Sequence, residues 1–176
     1  GFVGGELIGN GEVKPEGGSG SYEEGPVFWE VCVAAAEVEV DRATGVVRVL
    51  QTATVADVGT AINPRLVERQ DEGATIQGIG NAMLEEMIYA DDGNLLNDTL
   101  LDYRIPNTLD LPDKMTCIIV ENSDGPGPFG AKGCGEGALA AVPAAIVNAL
   151  ADAGVPMNQL PLTPERVWLE IQQLEQ

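Results

Sequence analysis

The chain has 176 residues, enough for one domain or two small ones with a substantial buried core. Its 28 acidic and 9 basic residues give a formal net charge of −19, and such a surface repels nucleic-acid phosphates and anionic lipid headgroups. The absence of histidine excludes a Ser-His-Asp or Cys-His nucleophile system and histidine metal ligands. No apolar run approaches the roughly 20 residues that cross a bilayer, so neither nucleic-acid nor membrane binding is expected.

The cysteines are few and far apart. Cys32, Cys117 and Cys134 form no C-x-x-C pair, which excludes a zinc ribbon or an iron–sulfur cage built from this chain. An odd, sparse set of thiols fits a reducing compartment better than a secreted disulfide framework, and it predicts a cytoplasmic protein. The start at Gly1, without a methionine or a signal-peptide pattern, predicts a piece of a longer chain or a processed chain.

The first half of the chain predicts a glycine-rich lead-in and then a hairpin. Residues 1–26 hold nine glycines and few large apolar side chains, so they are predicted to be a lead-in segment, with one domain over residues 27–176. Hydrophobic residues alternate with acids over 36–41, and valine and threonine dominate 46–55. These patterns predict a hairpin over 27–56, with Gly45 in its turn.

Three helices and one further strand are predicted after the hairpin. Asn63-Pro64 and Thr163-Pro164 are typical helix starts, predicting helices at about 64–88 and 164–174. The alanine-rich stretch 138–153 predicts a buried helix that ends before Gly154, and 115–120 predicts a buried strand. The expected fold class is α/β of the mixed α+β kind: a small mixed sheet with a long hairpin, packed by about three helices.

The glycine-rich loop at 125–137 allows three interpretations. Gly125-Pro-Gly127-Pro-Phe-Gly130 formally matches a dinucleotide fingerprint, but its prolines remove two amides that a phosphate would need. A P-loop is excluded because Gly133, not serine or threonine, follows Lys132. The third interpretation is a loop that brings backbone amides and the Glu136 carboxylate to a bound group, the alternative being that Glu136 only stabilises a helix start.

A second candidate surface lies on the helix predicted over 64–88. Gln70, Gly73, Ala74 and Gln77 follow i, i+3, i+4, i+7 spacing and therefore share one face. Two amides and two very small residues suit hydrogen bonding to a polar heteroaromatic group pressed against the backbone. A helix crossing that uses small residues for close packing is the equally weighted alternative.

Five ordered motifs resemble the molybdenum hydroxylases, the group of xanthine dehydrogenase, aldehyde oxidase and carbon monoxide dehydrogenase. The motifs are Ala36-Glu-Val-Glu-Val-Asp-x-x-Thr-Gly45, Val55-Ala-Asp-Val-Gly-Thr-Ala-Ile-Asn-Pro64, Gln70-Asp-Glu-Gly-Ala-Thr-Ile-Gln-Gly-Ile-Gly80, Leu101-Asp-Tyr-Arg-Ile-Pro106 and Phe129-Gly-Ala-Lys-Gly-Cys-Gly-Glu136. The resemblance runs from about residue 27 to the C-terminus. It corresponds to the C-terminal part of the molybdopterin-binding subunit in that group.

The resemblance implies specific roles. Glu136 falls on the glutamate that serves as general base beside the molybdenum, deprotonating a metal-bound hydroxyl. Gln70 falls on a glutamine that hydrogen-bonds the pterin, and Gln77 is a further candidate on the same helix face. The other implied cofactor-binding residues are Lys132, Gly133, Cys134 and Gly135. No direct metal ligand is assigned. Cys134 stands where valine or alanine is common, which favours a small buried hydrophobe over a thiol at the metal.

The implied activity needs more than this chain. The cofactor is molybdopterin, as such or as a dinucleotide, and the substrate an aldehyde, a purine or another N-heteroaromatic. The expected partners are the rest of the molybdopterin subunit and the domains or subunits that carry iron–sulfur clusters and FAD, so the chain alone is expected to be inactive. Its uncovered apolar surface predicts self-association. A non-catalytic assembly domain is the alternative, disfavoured by the glutamate at the base position.

Overall fold

In the part of the chain that the structure describes, a short mixed sheet and three α-helices make up the fold. The computed structural model describes residues 5, 9–12 and 28–175, so nearly all of the predicted lead-in over 1–26 lies outside the described residues. In chain order the elements are β1 (Cys32–Val40), β2 (Val47–Asp57), α1 (Pro64–Met83), β3 (Lys114–Val120), α2 (Gly137–Asp152) and α3 (Pro164–Leu174). The predicted α/β class, with a long hairpin and about three helices, is confirmed.

The sheet has the strand order β1-β2-β3. β1 and β2 pair as the predicted antiparallel hairpin, with a bulge between Glu37 and Val38. Gly45 closes the turn at φ +74, a conformation that favours glycine. β3 pairs with β2 in parallel, and α1 lies in the long connection between the two strands. β2 is therefore the central strand of the sheet, and Asp57 stands at its carboxyl end.

One face of the sheet carries the core. Along β1 burial alternates residue by residue, so Cys32, Ala34 and Ala36 pack inward while Val33 and Ala35 face outward. α1 and α2 cover the inward face. Several core side chains are fully buried: Ile79, Val142, Ile146, Leu150, Leu162, Val167 and Ile171. Among the described residues, no helix is long and apolar enough to cross a membrane.

The helix starts follow the predicted capping chemistry. Asn63 accepts a hydrogen bond from the Leu66 N–H, and Thr163 accepts one from the Arg166 N–H. The predicted end of α1 near residue 88 is wrong, since the helix ends at Met83. The chain turns away there because the N–H groups of both Leu84 and Glu85 donate to the Gly80 carbonyl, and the following segment runs to a short bridge between Tyr89 and Leu95.

The three glycines of α1 have different surroundings. A Cβ on Gly78 would lie 2.9 Å from the Val142 Cβ, so this glycine lets α1 and α2 approach closely. A Cβ on Gly80 would lie 2.7 Å from the ring of Pro106. Gly73 has nothing within 4 Å of an added Cβ and is exposed. Packing therefore explains Gly78 and Gly80, whereas Gly73 leaves an open stretch of helix backbone.

Candidate functional site

The loop at 125–130 folds back on itself and leaves no phosphate cradle. The Gly125 N–H donates to the Gly130 carbonyl and the Gly127 N–H to the Ala131 carbonyl, each at 3.0 Å. Pro128–Gly130 form a short 3-10 turn in which Phe129 has φ +58. Since the N–H groups of Gly125, Gly127 and Gly130 are all used inside the loop, this segment does not support the dinucleotide interpretation.

An ion pair fixes the next part of the loop to the end of β2. The Lys132 ammonium lies 2.7 Å from Asp57 Oδ2, and the Lys132 side chain is only 9% exposed. The same carboxylate accepts hydrogen bonds from the side chain of Asn122 and the backbone N–H of Gly59. The predicted cofactor residue Lys132 therefore has its charged end directed at Asp57, and its structural effect is to hold the following residues in place.

This contact predicts a pH-dependent stability. The hydrogen bond from Lys132, followed by that from the Gly59 amide, lowers the pKa of Asp57. A carboxyl whose pKa is lower in the folded state stabilises the fold above its unfolded pKa, and this stabilisation is lost as pH falls through the folded pKa. We expect Asp57→Asn to reduce the free energy of unfolding most at neutral pH, with the difference from the parent protein shrinking in acid. Urea unfolding over a pH series measures this difference.

The control for Asp57→Asn is Asp98→Asn, which removes the same charge from an exposed position. A loss of stability that is equal for both variants at every pH would contradict the role of the Lys132–Asp57 contact.

The backbone N–H groups from Gly133 to Glu136 have no hydrogen-bond acceptor among the described residues. The neighbouring Lys132 N–H, by contrast, donates to Val58. The segment is half-covered by the stretch just before β1. An added Cβ on Gly133 would lie 3.2 Å from the ring of Phe28, and one on Gly135 would meet nothing within 4 Å. Gly133 thus makes room for another side chain of the same protein, whereas the space beside Gly135 is open.

Glu136 lies at the N-cap of α2, and its side chain makes no capping hydrogen bond. The residue is exposed. The Glu30 carboxylate lies beside the next residue, where a Cβ added to Gly137 would be 2.5 Å from Glu30 Oε1. The Glu136 carboxylate is therefore not used by the helix that it precedes, which leaves it available to accept a proton from a bound group.

Two of the predicted regions meet at a cavity of about 290 Å³. Its wall includes Gln70 of α1 together with Lys132 and Cys134 of the glycine-rich loop. Glu136 and Gln77 are not among its lining residues, although both are exposed. A larger cavity, of about 470 Å³, lies beside the start of β2 and the end of α1 and contains none of the predicted site residues.

The exposed face of α1 is narrower than the sequence predicts. Ala74 is only 3% exposed and belongs to the core, whereas Gln70, Gly73 and Gln77 are exposed. This remaining face, Gln70–Gly73–Gln77, has two amide side chains around an open stretch of backbone.

Cys134 is half-buried, and burial raises the pKa of its thiol, so the thiol stays protonated and behaves as a small, mostly apolar group.

The sequence does not predict a buried polar contact that lies beneath α1. Asp71 is only 6% exposed and accepts a hydrogen bond from the Thr54 hydroxyl on β2. Burial and the contact with Asp71 raise the pKa of Cys117 on β3 to about 12. Because Asp71 follows Gln70 directly, this contact fixes the rotation of α1 and keeps Gln70 outward. Asp71 is an acid next to a predicted polar face, so the sequence alone gives no indication that it is buried.

A family model described as the molybdopterin cofactor-binding domain matches residues 4–112. The chain belongs to this family.

Individual relatives agree with this assignment. The chain is 38% identical over 146 residues to the gamma subunit of the 6-hydroxypseudooxynicotine dehydrogenase complex of Paenarthrobacter nicotinovorans, which covers 81% of this chain and 18% of that protein. Quinoline 2-oxidoreductase from Pseudomonas putida 86 is similar in structure, with a TM-score of 0.70 and 44% identity over 77% of this chain and 18% of that one. Aldehyde oxidoreductase from Desulfovibrio gigas gives a TM-score of 0.68 at 36% identity, and the match covers 78% of this chain and 15% of that one. The chain thus spans less than a fifth of these relatives.

The residues present fit a molybdopterin. Such a group has a polar heteroaromatic ring and oxygen acceptors. The chain offers the Gln70 amide, open backbone at Gly73 and the N–H donors at 133–136, which have no acceptor among the described residues. The side chains around the cavity are largely uncharged, and the one ammonium, Lys132, is neutralised by Asp57. The set suits hydrogen bonding to the ligand periphery rather than direct coordination of a metal.

Proposed function

We propose that the chain is the C-terminal portion of a molybdopterin-dependent hydroxylase. The complete enzyme oxidises an aldehyde, a purine or another N-heteroaromatic with oxygen derived from water. Relatives named for nicotine and quinoline chemistry support the heteroaromatic class. The chain contributes a general base and part of the cofactor pocket.

The observation that supports this proposal is the convergence of α1 and the glycine-rich loop on one cavity. Gln70 and Cys134 are far apart in the sequence, and they line the same space of about 290 Å³. The amides that follow the cavity wall, from Gly133 to Glu136, have no backbone acceptor within the described residues. Since Gly133, Gly135 and Glu136 are exposed, their N–H groups are accessible and can donate to a bound ligand.

The chain's own residues have distinct roles in this proposal. The bound cofactor supplies the oxygen-transfer and redox chemistry. Gln70 and Gln77 orient its ring system through their amides, and the N–H groups of Gly133, Cys134 and Gly135 hold its oxygen atoms. Lys132 holds the loop through Asp57. The Glu136 carboxylate accepts a proton at one of its oxygens as the reaction begins, since a base has to lie within hydrogen-bond reach of the proton that it takes.

The reaction requires partners. The chain spans 18% of the gamma subunit that it resembles, so we propose that the rest of a molybdopterin subunit closes the pocket. Iron–sulfur and flavin domains or subunits would accept the electrons, and the assembly would be oligomeric and cytoplasmic. The isolated chain is proposed to be inactive.

Gly73→Ala tests whether the cofactor lies on the exposed face of α1. The added methyl meets nothing within 4 Å, and alanine stabilises a helix interior by about 1 kcal/mol relative to glycine. We therefore expect the variant chain to be more stable to heat. In the complete enzyme the same methyl enters the space where the cofactor approaches the backbone, and the molybdenum content per protein should fall several-fold.

Glu68→Ala is the matched control, because it also introduces alanine at an exposed site of α1, on the side of the helix opposite the Gln70–Gly73–Gln77 face. It should leave the molybdenum content unchanged. Full molybdenum content in Gly73→Ala would contradict the proposed position of the cofactor against this face.

A further inference from the structure

The first buried contact of α1 with the sheet is made by an acid. The residues of α1 from Pro64 to Gln70 are exposed or half-buried, and Asp71 is the first of its buried residues. Its carboxylate accepts a hydrogen bond from the hydroxyl of Thr54, which is buried on the inward face of β2. The first part of the helix, about two turns that include Gln70, therefore precedes the part of α1 that packs in the core.

An acid is an unfavourable choice for this buried position. Among the described residues, no lysine or arginine forms an ion pair with Asp71. A buried carboxylate without a cation costs stability compared with a well-packed apolar side chain. The acid does supply one property that an apolar side chain lacks, because a hydrogen bond is directional whereas hydrophobic packing is not.

The direction of this contact matters for Gln70. Successive residues of an α-helix point about 100° apart, so an inward Asp71 places Gln70 on the flank of α1, where it lines the cavity of about 290 Å³. Gly73 separates Gln70 from the buried apolar residues of α1, which begin at Ala74. Since glycine weakens a helix interior, those residues hold Gln70 less firmly than a contact at the adjacent residue does.

We propose that Asp71 is a positioning residue for Gln70: the hydrogen bond from Thr54 fixes the first turns of α1 so that the Gln70 amide faces the bound cofactor. This inference rests on the proposed function, in which Gln70 orients the cofactor. Thr54 and Asp71 lie beneath the helix, so they act through Gln70 and do not themselves contact the cofactor.

The test measures the molybdenum content per protein in the enzyme that contains this chain. Thr54→Val removes the hydroxyl with little change of shape, and Asp71→Ala removes the acceptor while favouring the helix. Each should lower the molybdenum content by about two- to tenfold, the factor that one hydrogen bond contributes to an equilibrium. Thr54→Ser keeps the donor and Asp71→Asn keeps an acceptor, so both should retain a content close to that of the parent enzyme.

Thr52→Val is the matched control. Thr52 is buried two residues earlier on the same face of β2, and no described residue of α1 accepts a hydrogen bond from its hydroxyl. The change should leave the molybdenum content unchanged.

A double variant separates positioning from a general effect on stability. In an enzyme that already carries Gln70→Ala, Thr54→Val should cause no further loss of molybdenum, because the side chain that it positions has been removed. A contact that only stabilises the fold would lower the content by the same factor in both backgrounds.

A molybdenum content in Thr54→Val equal to that in Thr52→Val would overturn the inference, as would an undiminished effect of Thr54→Val in the Gln70→Ala background. So would a loss in Asp71→Asn as large as in Asp71→Ala, since asparagine still accepts the bond. If Gln70→Ala itself keeps the full molybdenum content, the proposed contact of Gln70 with the cofactor fails instead, and the two failures are thus distinguishable.

Discussion

Glu136→Gln is expected to lower the turnover of the molybdenum-loaded enzyme by about 10³-fold, the usual contribution of a general base. Glutamine has nearly the same shape but does not accept the proton. The molybdenum content should stay close to that of the parent enzyme, because the side chain is exposed and makes no capping bond that the fold requires. Steady-state kinetics together with metal analysis measures both quantities.

Glu68→Gln provides the comparison for this variant, as an exposed acid of α1 outside the candidate site. Turnover of Glu136→Gln equal to that of Glu68→Gln would remove Glu136 from the mechanism. A loss of molybdenum in parallel with activity would instead assign Glu136 to cofactor binding.

Ile146→Ala is expected to have the largest effect on stability. Ile146 is fully buried in α2 within the core cluster, and shortening a buried isoleucine to alanine costs about 2–5 kcal/mol through lost transfer free energy and the cavity left behind. Small domains have only about 5–15 kcal/mol of stability in total. Denaturant unfolding should therefore show a midpoint far below that of the parent chain.

Ile105→Ala makes the same chemical change at a side chain that is 57% exposed, and it should shift the unfolding midpoint little. Equal losses in the two variants would mean that α2 does not pack in the core as described.

Local patterns in the sequence were sufficient for most of the elements. The alternation of valine and acid defines β1, and Asn63 and Thr163 mark the starts of α1 and α3 because their side chains satisfy free backbone amides. The early end of α1 was not predictable. There the Gly80 carbonyl accepts from the N–H groups of both Leu84 and Glu85, and no local pattern in the sequence marks this change.

The candidate site was predictable only where a motif defined it. Gln70 and Cys134 were identified by resemblance, and they do line one cavity. Glu30 and Asp71 were missed because each owes its position to tertiary contacts: Glu30 to the missing side chain at Gly137, and Asp71 to the Thr54 hydroxyl beneath α1. The role of Glu136 as base stays a prediction, since it depends on a group that this chain alone does not supply.

The parallel pairing of β3 with β2 bears on how the protein folds. β1 and β2 are joined by a short turn, so the entropy lost in closing the hairpin is small and the hairpin can form early. β3 has to return across the whole of α1 and the loops after it, and pairings between such distant residues form slowly. Until β3 docks, the edge of β2 that it covers is exposed and can pair with other chains.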